Sequence, residues 1–265
     1  MTTPAKETLS ATNPLLRDYA LQSGVADELL DPNGVMRPVW GPFIKQLSQL
    51  SQPEITAYFA RGDQYLRDAG VFFRQYSTDP HQERDWPLSH IPVILHEREW
   101  AEICEGLTQR AELLERVVAD LYGDATLVRD GHLPAELVAQ NPEWHRPLVG
   151  LTPASGHHLH FLAFEIGRSP DGSWLVLGDR TQAPSGAGFA LENRMATVRV
   201  FPEPFPQSRV QRLAGFFRAF RDAMDDLPST EGGRTAILTP GPGNDTYFEH
   251  TYIARYLGLT LLEGA

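Results

Sequence analysis

An α+β fold is what this sequence predicts: an antiparallel sheet surrounded by helices, followed by the start of an α/β unit. Three observations predict it. Residues 97–122 carry apolar side chains at intervals of three and four. Two strand-like runs, 158–168 and 173–182, flank the tight-turn sequence SPDG. Residues 234–265 read as strand, helix and strand.

The elements follow in chain order. Residues 1–30 are polar and form an N-terminal arm. Residues 31–40, DPNGVMRPVW, are punctuated by Pro and Gly and read as turns. From Phe43 to Gly70 the apolar spacing is helical, through Leu47, Leu50, Ile55, Tyr58, Phe59 and Leu66. Gly70 ends that region, and VFFRQY reads as a short strand. Residues 86–95 are broken by proline. The long helix at 97–122 presents Trp100, Ile103, Leu107, Ala111, Leu114, Val117, Val118 and Leu121 on one stripe, and Gly123 stands at its C-terminal end. Cys104 on this helix is expected to be half-buried. A short helix follows Pro134. The hairpin comes next, then a helix over 210–227. A strand at 234–240, the turn GPGND, a helix over 246–257 and a final strand close the chain. The domains expected are the arm at 1–30, a main domain at 31–230 and the beginning of an α/β domain at 231–265.

Composition limits the function classes. The chain has 265 residues, 42% hydrophobic and 22% charged, enough for a sizeable core. Its formal net charge is -11, with no dense Lys/Arg cluster, which argues against a nucleic-acid partner or an anionic membrane surface. A single cysteine makes no internal disulfide. There is no apolar run of membrane-spanning length and no apolar signal core, so the expected location is the cytoplasm.

The chemistry concentrates on the hairpin. With the turn centred on Asp171 and Gly172, Glu165 falls opposite Gly178 or Asp179. The two carboxylates are then expected to be cross-strand or diagonal neighbours, a costly arrangement for like charges. Two remedies are open: a hard cation such as Mg²⁺ between them, or Arg168 and Arg180 beside them as ion-pair partners. The loop after the hairpin, Ser185, Gly186, Ala187 and Gly188, allows close backbone approach and offers N–H groups to an anion. Glu192 and Asn193 add oxygen ligands, and Arg194 a guanidinium fork for phosphate or carboxylate. Two smaller patterns compete. The run HHLH (His157, His158, His160) raises a zinc hydrolase as an alternative, with His158 and His160 on one strand face. GPGND offers either a helix cap at Asn244 or Asp245, or an anion site.

The stretch GDRTQAPSGAGFALENR, preceded by LHFLAFEIGRSPDGSWLVL, resembles the signature of the circularly permuted ATP-grasp family, type 2. RPVWGPF, the helix ending in ADLYG, and TPGPGNDTYFEHTYIARYLGLTLLEGA extend the likeness over residues 30–265. The resemblance implies an ATP-grasp-like antiparallel sheet and the start of a pre-ATP-grasp substrate domain. It implies ATP- and Mg²⁺-dependent ligation of a carboxylate to an amine, peptide-like in kind, through an acyl phosphate. It places Glu165, Asp179 and Glu192 at the metal. Ser185, Gly186, Ala187, Gly188 and Asn193 fall at the nucleotide, and Arg180 and Arg194 on the transferring phosphate. Glu165 stands where the family more often has Asp. Members of the family continue well past EGA, so the chain is expected to be an N-terminal portion that associates with the remainder of a ligase or with a helical partner. The alternative is a truncated, catalytically silent scaffold or binding module.

Overall fold

A computed structural model describes residue 16 and residues 19–74, 83–202, 208–227 and 233–264, with backbone alone at 72–74 and 83–85. Of the predicted arm at 1–30, residues 1–15, 17 and 18 lie outside the described residues. Its continuation is docked rather than loose. The Asp27 carboxylate accepts the N–H groups of Leu29 and Leu30 at 2.8 and 2.7 Å, and Leu29 and Leu30 enter the core.

The helical region after residue 40 divides in two: α1, Gly41–Leu47, and α2, Gln52–Asp68. Ser51 caps α2, and Glu54 returns a bond to the Ser51 backbone at 2.8 Å, a reciprocal capping box. Pro53 in the first turn lacks the N–H that a continuous helix would need. Strands β1 (Phe72–Arg74) and β2 (Glu83–Asp85) form a small antiparallel ribbon. Helix α3 spans Glu97–Tyr122, within the predicted bounds, and Cys104 on it is exposed rather than half-buried. Short helices α4 (Thr126–Arg129) and α5 (Ala135–Ala139) follow.

The predicted hairpin is formed by β3, Ala163–Arg168, and β4, Trp174–Arg180. Its turn closes by hydrogen bonds between Ser169 and Ser173 and between Gly172 and Ser169, both 2.8 Å. The register pairs Glu165 with Gly178 and Phe164 with Asp179, then Ile166 with Val176, so a bulge intervenes. Phe164, Ile166 and Arg168 therefore share a face with Trp174, Val176 and Asp179, and this face lies against α3 through Arg110 and Glu99. Glu165 and Arg180 lie on the other face.

A helix that apolar periodicity does not reveal, α6 (Ala187–Val200), runs through the centre of the molecule. Ala196 and Val200 are wholly buried on it. With Phe201, Val200 joins Trp40, Phe43, Ile44, Leu47 and Ile55 in the main core. Phe189 and Ala196 join Leu66 and Val71 in a second cluster. Helix α7, Ala214–Asp225, is shorter than predicted; its Phe216 and Phe220 pack on Phe161 with ring centroids 6.0 and 5.0 Å apart. The C-terminal unit is β5 (Ala236–Thr239), α8 (Tyr247–Leu257) and β6 (Thr260–Glu263), with β5 and β6 parallel as a strand–helix–strand crossover requires.

Helices α2 and α6 approach closely because residue 62 is glycine. A Cβ there would overlap a Val200 methyl and lie 3.2 Å from the His90 ring. We expect Gly62→Ala to destabilise the chain by about 1–3 kcal/mol, since overpacking outweighs a helix-propensity gain of about 1 kcal/mol. Val200→Ala in the same chain should recover part of the loss. Urea midpoints measure both; a Gly62→Ala protein as stable as the parent would show that the helices do not cross there.

Candidate functional site

Three places hold the residues singled out by sequence: the hairpin, the N-terminus of α6, and a cavity beside α6.

On the hairpin, the two acids point to opposite sides of the sheet. The expectation of a shared cation between Glu165 and Asp179 is thereby corrected, because partners in register share a face while consecutive residues alternate. Each carboxylate has its own arginine. Asp179 receives Arg110 Nε at 2.6 Å and Nη2 at 2.8 Å. That pair holds Asp179 below the usual carboxylate range. Glu165 receives Arg180 Nη2 at 2.6 Å on the solvent side. Arg168, which sequence placed beside these acids, is buried elsewhere. It donates to Glu28 at 2.9 Å and to Glu99 at 2.6 Å, and lies 4.2 Å over the Trp174 ring. The face carrying Glu165 and Arg180 also exposes Leu175 and Leu177, the latter 70% exposed.

At α6, the sequence SGAG does form an anion cradle. Gly186 sits at φ 124°, a conformation that suits glycine. That backbone aims the Gly186 and Gly188 N–H groups at one point. The anion they hold is internal. Glu249 of α8 accepts Gly186 N–H at 2.7 and 2.9 Å and Gly188 N–H at 2.8 Å. Glu249 is only 2% exposed. Burial pushes its pKa up, and the two glycine N–H groups pull it back. Asn193 is likewise engaged, its Oδ1 accepting Trp86 Nε1 at 2.7 Å, while Trp86 stacks on Phe189. No sequence signal marked Glu249; it lies 61 positions beyond Gly188.

Beside α6 is a cavity of about 670 Å³. Glu192 lies at its wall, 3% exposed, beside Tyr65 and Tyr252. Burial, with this carboxylate second, pushes the Tyr65 hydroxyl up to about 12 and Tyr252 higher still. Arg194 lines the same cavity, with Arg212 and Arg255. Burial lowers the Arg194 pKa. Its Nη1 donates to the Gln211 carbonyl at 3.3 Å. A second cavity, about 460 Å³, adjoins it at Tyr252 and Arg255 and is lined by Asn244 and Asp245 of the GPGND turn. There Asn244 is a cap: its Oδ1 accepts Thr246 N–H at 2.9 Å. His250 of α8 fastens this corner, its Nδ1 2.8 Å from Thr239 Oγ1 and its Nε2 3.1 Å from Thr246 Oγ1. Burial lowers its pKa.

The predicted metal ligands do not gather round one Mg²⁺ site in this chain, and the predicted glycine cradle is occupied. The hairpin acids are apart and ion-paired, Glu192 is buried away from both of them, and the glycine cradle already holds a carboxylate. Among the described residues no three His, Cys, Asp or Glu gather to hold a metal. The HHLH histidines precede β3 in a loop, where His158 stacks on Tyr122 and His160 lies 3.3 Å from Ser155 Oγ. They do not share a strand face. Among the described residues no helix is long and apolar enough to cross a membrane.

Helices around an antiparallel hairpin, continued by a parallel strand–helix–strand unit, define an α+β protein of the ATP-grasp-like kind. The chain belongs to the circularly permuted ATP-grasp type 2 family, which matches residues 92–265. It is 33% identical to an uncharacterised protein of Mycobacterium tuberculosis, over 90% of this chain and 43% of the relative. A Synechocystis protein, also uncharacterised, is 32% identical over 90% of this chain and 50% of its own length. A second M. tuberculosis protein is 28% identical, with 28% of its length covered. The chain thus spans half or less of the length of these curated relatives.

Proposed function

We propose that this chain supplies one sheet of an ATP-dependent ligase that joins a carboxylate to an amine through an acyl phosphate. Membership of the ATP-grasp family supports the reading. The observation that carries it is the uncovered hairpin face. One side of the hairpin is seated on α3; the other presents Leu175 and Leu177 beside the exposed pair Glu165 and Arg180. Apolar surface next to a guanidinium–carboxylate pair suits a base followed by phosphates. In this reading Arg180 meets phosphate and neutralises developing charge, and the strand–helix–strand unit begins the substrate domain. Magnesium and ATP are the cofactors that the family implies, and the remainder of such a ligase is the partner.

Calorimetric titration of Mg²⁺–ATP into the chain tests this. Saturable binding is expected, weakened at least tenfold by Arg180→Gln and by Leu177→Asp. Binding indifferent to both substitutions would overturn the hairpin as the nucleotide face. A second reading, a silent binding module, is favoured by the Glu249 carboxylate in the glycine cradle, which leaves those N–H groups no room for phosphate. It predicts no heat of ATP binding at all.

A further inference from the structure

The cavity beside α6 has a chemistry of its own. Its walls come from the end of α2, from α6, from residues 210–214 and from α8. None of Glu165, Asp179 or Arg180 lines it. Leu191, Met195, Val198, Leu213 and Phe248 make its walls largely apolar. Its charged groups are Arg194, Arg212 and Arg255 against Glu192 and Asp68. That is a local excess of one positive charge in a chain whose net charge is -11. Glu192 is almost wholly buried in the wall, which it shares with Tyr65 and Tyr252, and it forms no ion pair with Arg212 or Arg255 among the described residues. Arg255 lies 5.7 Å over the Tyr252 ring. Arg212 and Arg255 make no ion pair with a carboxylate among the described residues.

We infer that this cavity binds a carboxylate carried on an apolar body. The carboxylate sits against Arg212 and Arg255, at the side where Arg194 lines the wall, and the body lies along Leu191, Met195, Val198 and Leu213. A guanidinium fork matches a carboxylate in geometry and charge. The excess of a single positive charge matches a monoanion. A nucleoside triphosphate brings several negative charges beside Glu192 and Asp68 and is disfavoured here. The apolar walls supply the affinity, and the arginines the selection for an acid over a neutral analogue. This inference does not depend on nucleotide binding at the hairpin, and it holds or fails separately.

Phenylacetate and its neutral amide, phenylacetamide, are the probes, titrated into the full chain by calorimetry and by ligand-observed NMR, with ATP as a third arm. Phenylacetate is expected to bind with a Kd on the order of 1 mM, as a ligand of its size allows. Phenylacetamide should bind at least tenfold more weakly, and ATP should not compete. Arg212→Gln and Arg255→Gln are surface changes that leave folding intact, and each should weaken phenylacetate at least fivefold while leaving the amide unchanged. Equal affinity for acid and amide, displacement of phenylacetate by ATP, indifference to both substitutions, or no saturable binding up to about 10 mM would each overturn the assignment.

Discussion

Arg168→Met should cost about 3–5 kcal/mol of stability, the largest loss expected from any single change in this chain. Arg168 is only 5% exposed at its side chain. It ties together three parts of the molecule: Glu28 before the first helix, Glu99 on α3, and Trp174 on the hairpin. It also donates to the Gly172 carbonyl of the turn at 3.2 Å. Removing the guanidinium leaves Glu28 and Glu99 close together without a counter-charge, so the loss exceeds that of a surface pair. Arg168→Lys keeps the charge and gives up the fork and the ring contact; an intermediate loss is expected. Acid should reveal the same contact. Hydrogen bonding from Arg168 is the largest influence holding Glu99 below the usual carboxylate range. A carboxylate depressed in the folded state contributes stability above its unfolded value, near 4.3, and loses that contribution as pH falls through the folded value. The parent should therefore lose stability below about pH 4 more steeply than Arg168→Met. Urea midpoints across this range measure it, and a Met variant within about 0.5 kcal/mol of the parent at pH 7 would refute the role given to Arg168.

Glu249→Ala is expected to cost about 2–3 kcal/mol, by stranding the buried Gly188 N–H and the part-buried Gly186 N–H, which now share a charged acceptor. The substitution deletes a carboxymethyl group, the shape of acetate. Acetate at about ten times its Kd for the vacated cradle should return about 1.4 kcal/mol to the variant and nothing to the parent. Thermal unfolding with and without sodium acetate, against sodium chloride at equal ionic strength, reads both effects. If acetate and chloride act alike on Glu249→Ala, the cradle is not an anion site and Glu249 serves only as packing. Glu249→Gln retains one acceptor oxygen, and its loss should be about half as large.

Local pattern was enough for several elements. The stripe from Trp100 to Leu121 gave α3, because one apolar face at a period near 3.6 has few readings other than a helix. SPDG between two β-prone runs gave the hairpin and its register to within one residue. The signature on β3, β4 and the following loop carried the family, and SGAG declared an anion cradle. Other features were invisible locally. Helix α6 has buried residues on several sides and carries Glu192 buried, with Asn193 and Arg194 partly buried, so no single apolar stripe announces it. The charged residues Glu99, Arg110 and Glu115 of α3 lie off its apolar stripe, yet they bind Arg168, Asp179 and the His158 and Leu159 N–H groups.

What the sequence determined by itself is the set of elements and the chemical character of its motifs: acids and arginines on a hairpin, and a loop shaped for negative charge. Tertiary structure alone decided the partners. One bulge and the alternation of a strand sent Glu165 and Asp179 to opposite faces. Helix α8, folded back from 61 positions away, brought the anion that fills the loop. The reason is physical. Helix and strand periodicity act over neighbouring residues, whereas a charge is satisfied by whatever the packed chain places within about 3 Å, however distant in sequence.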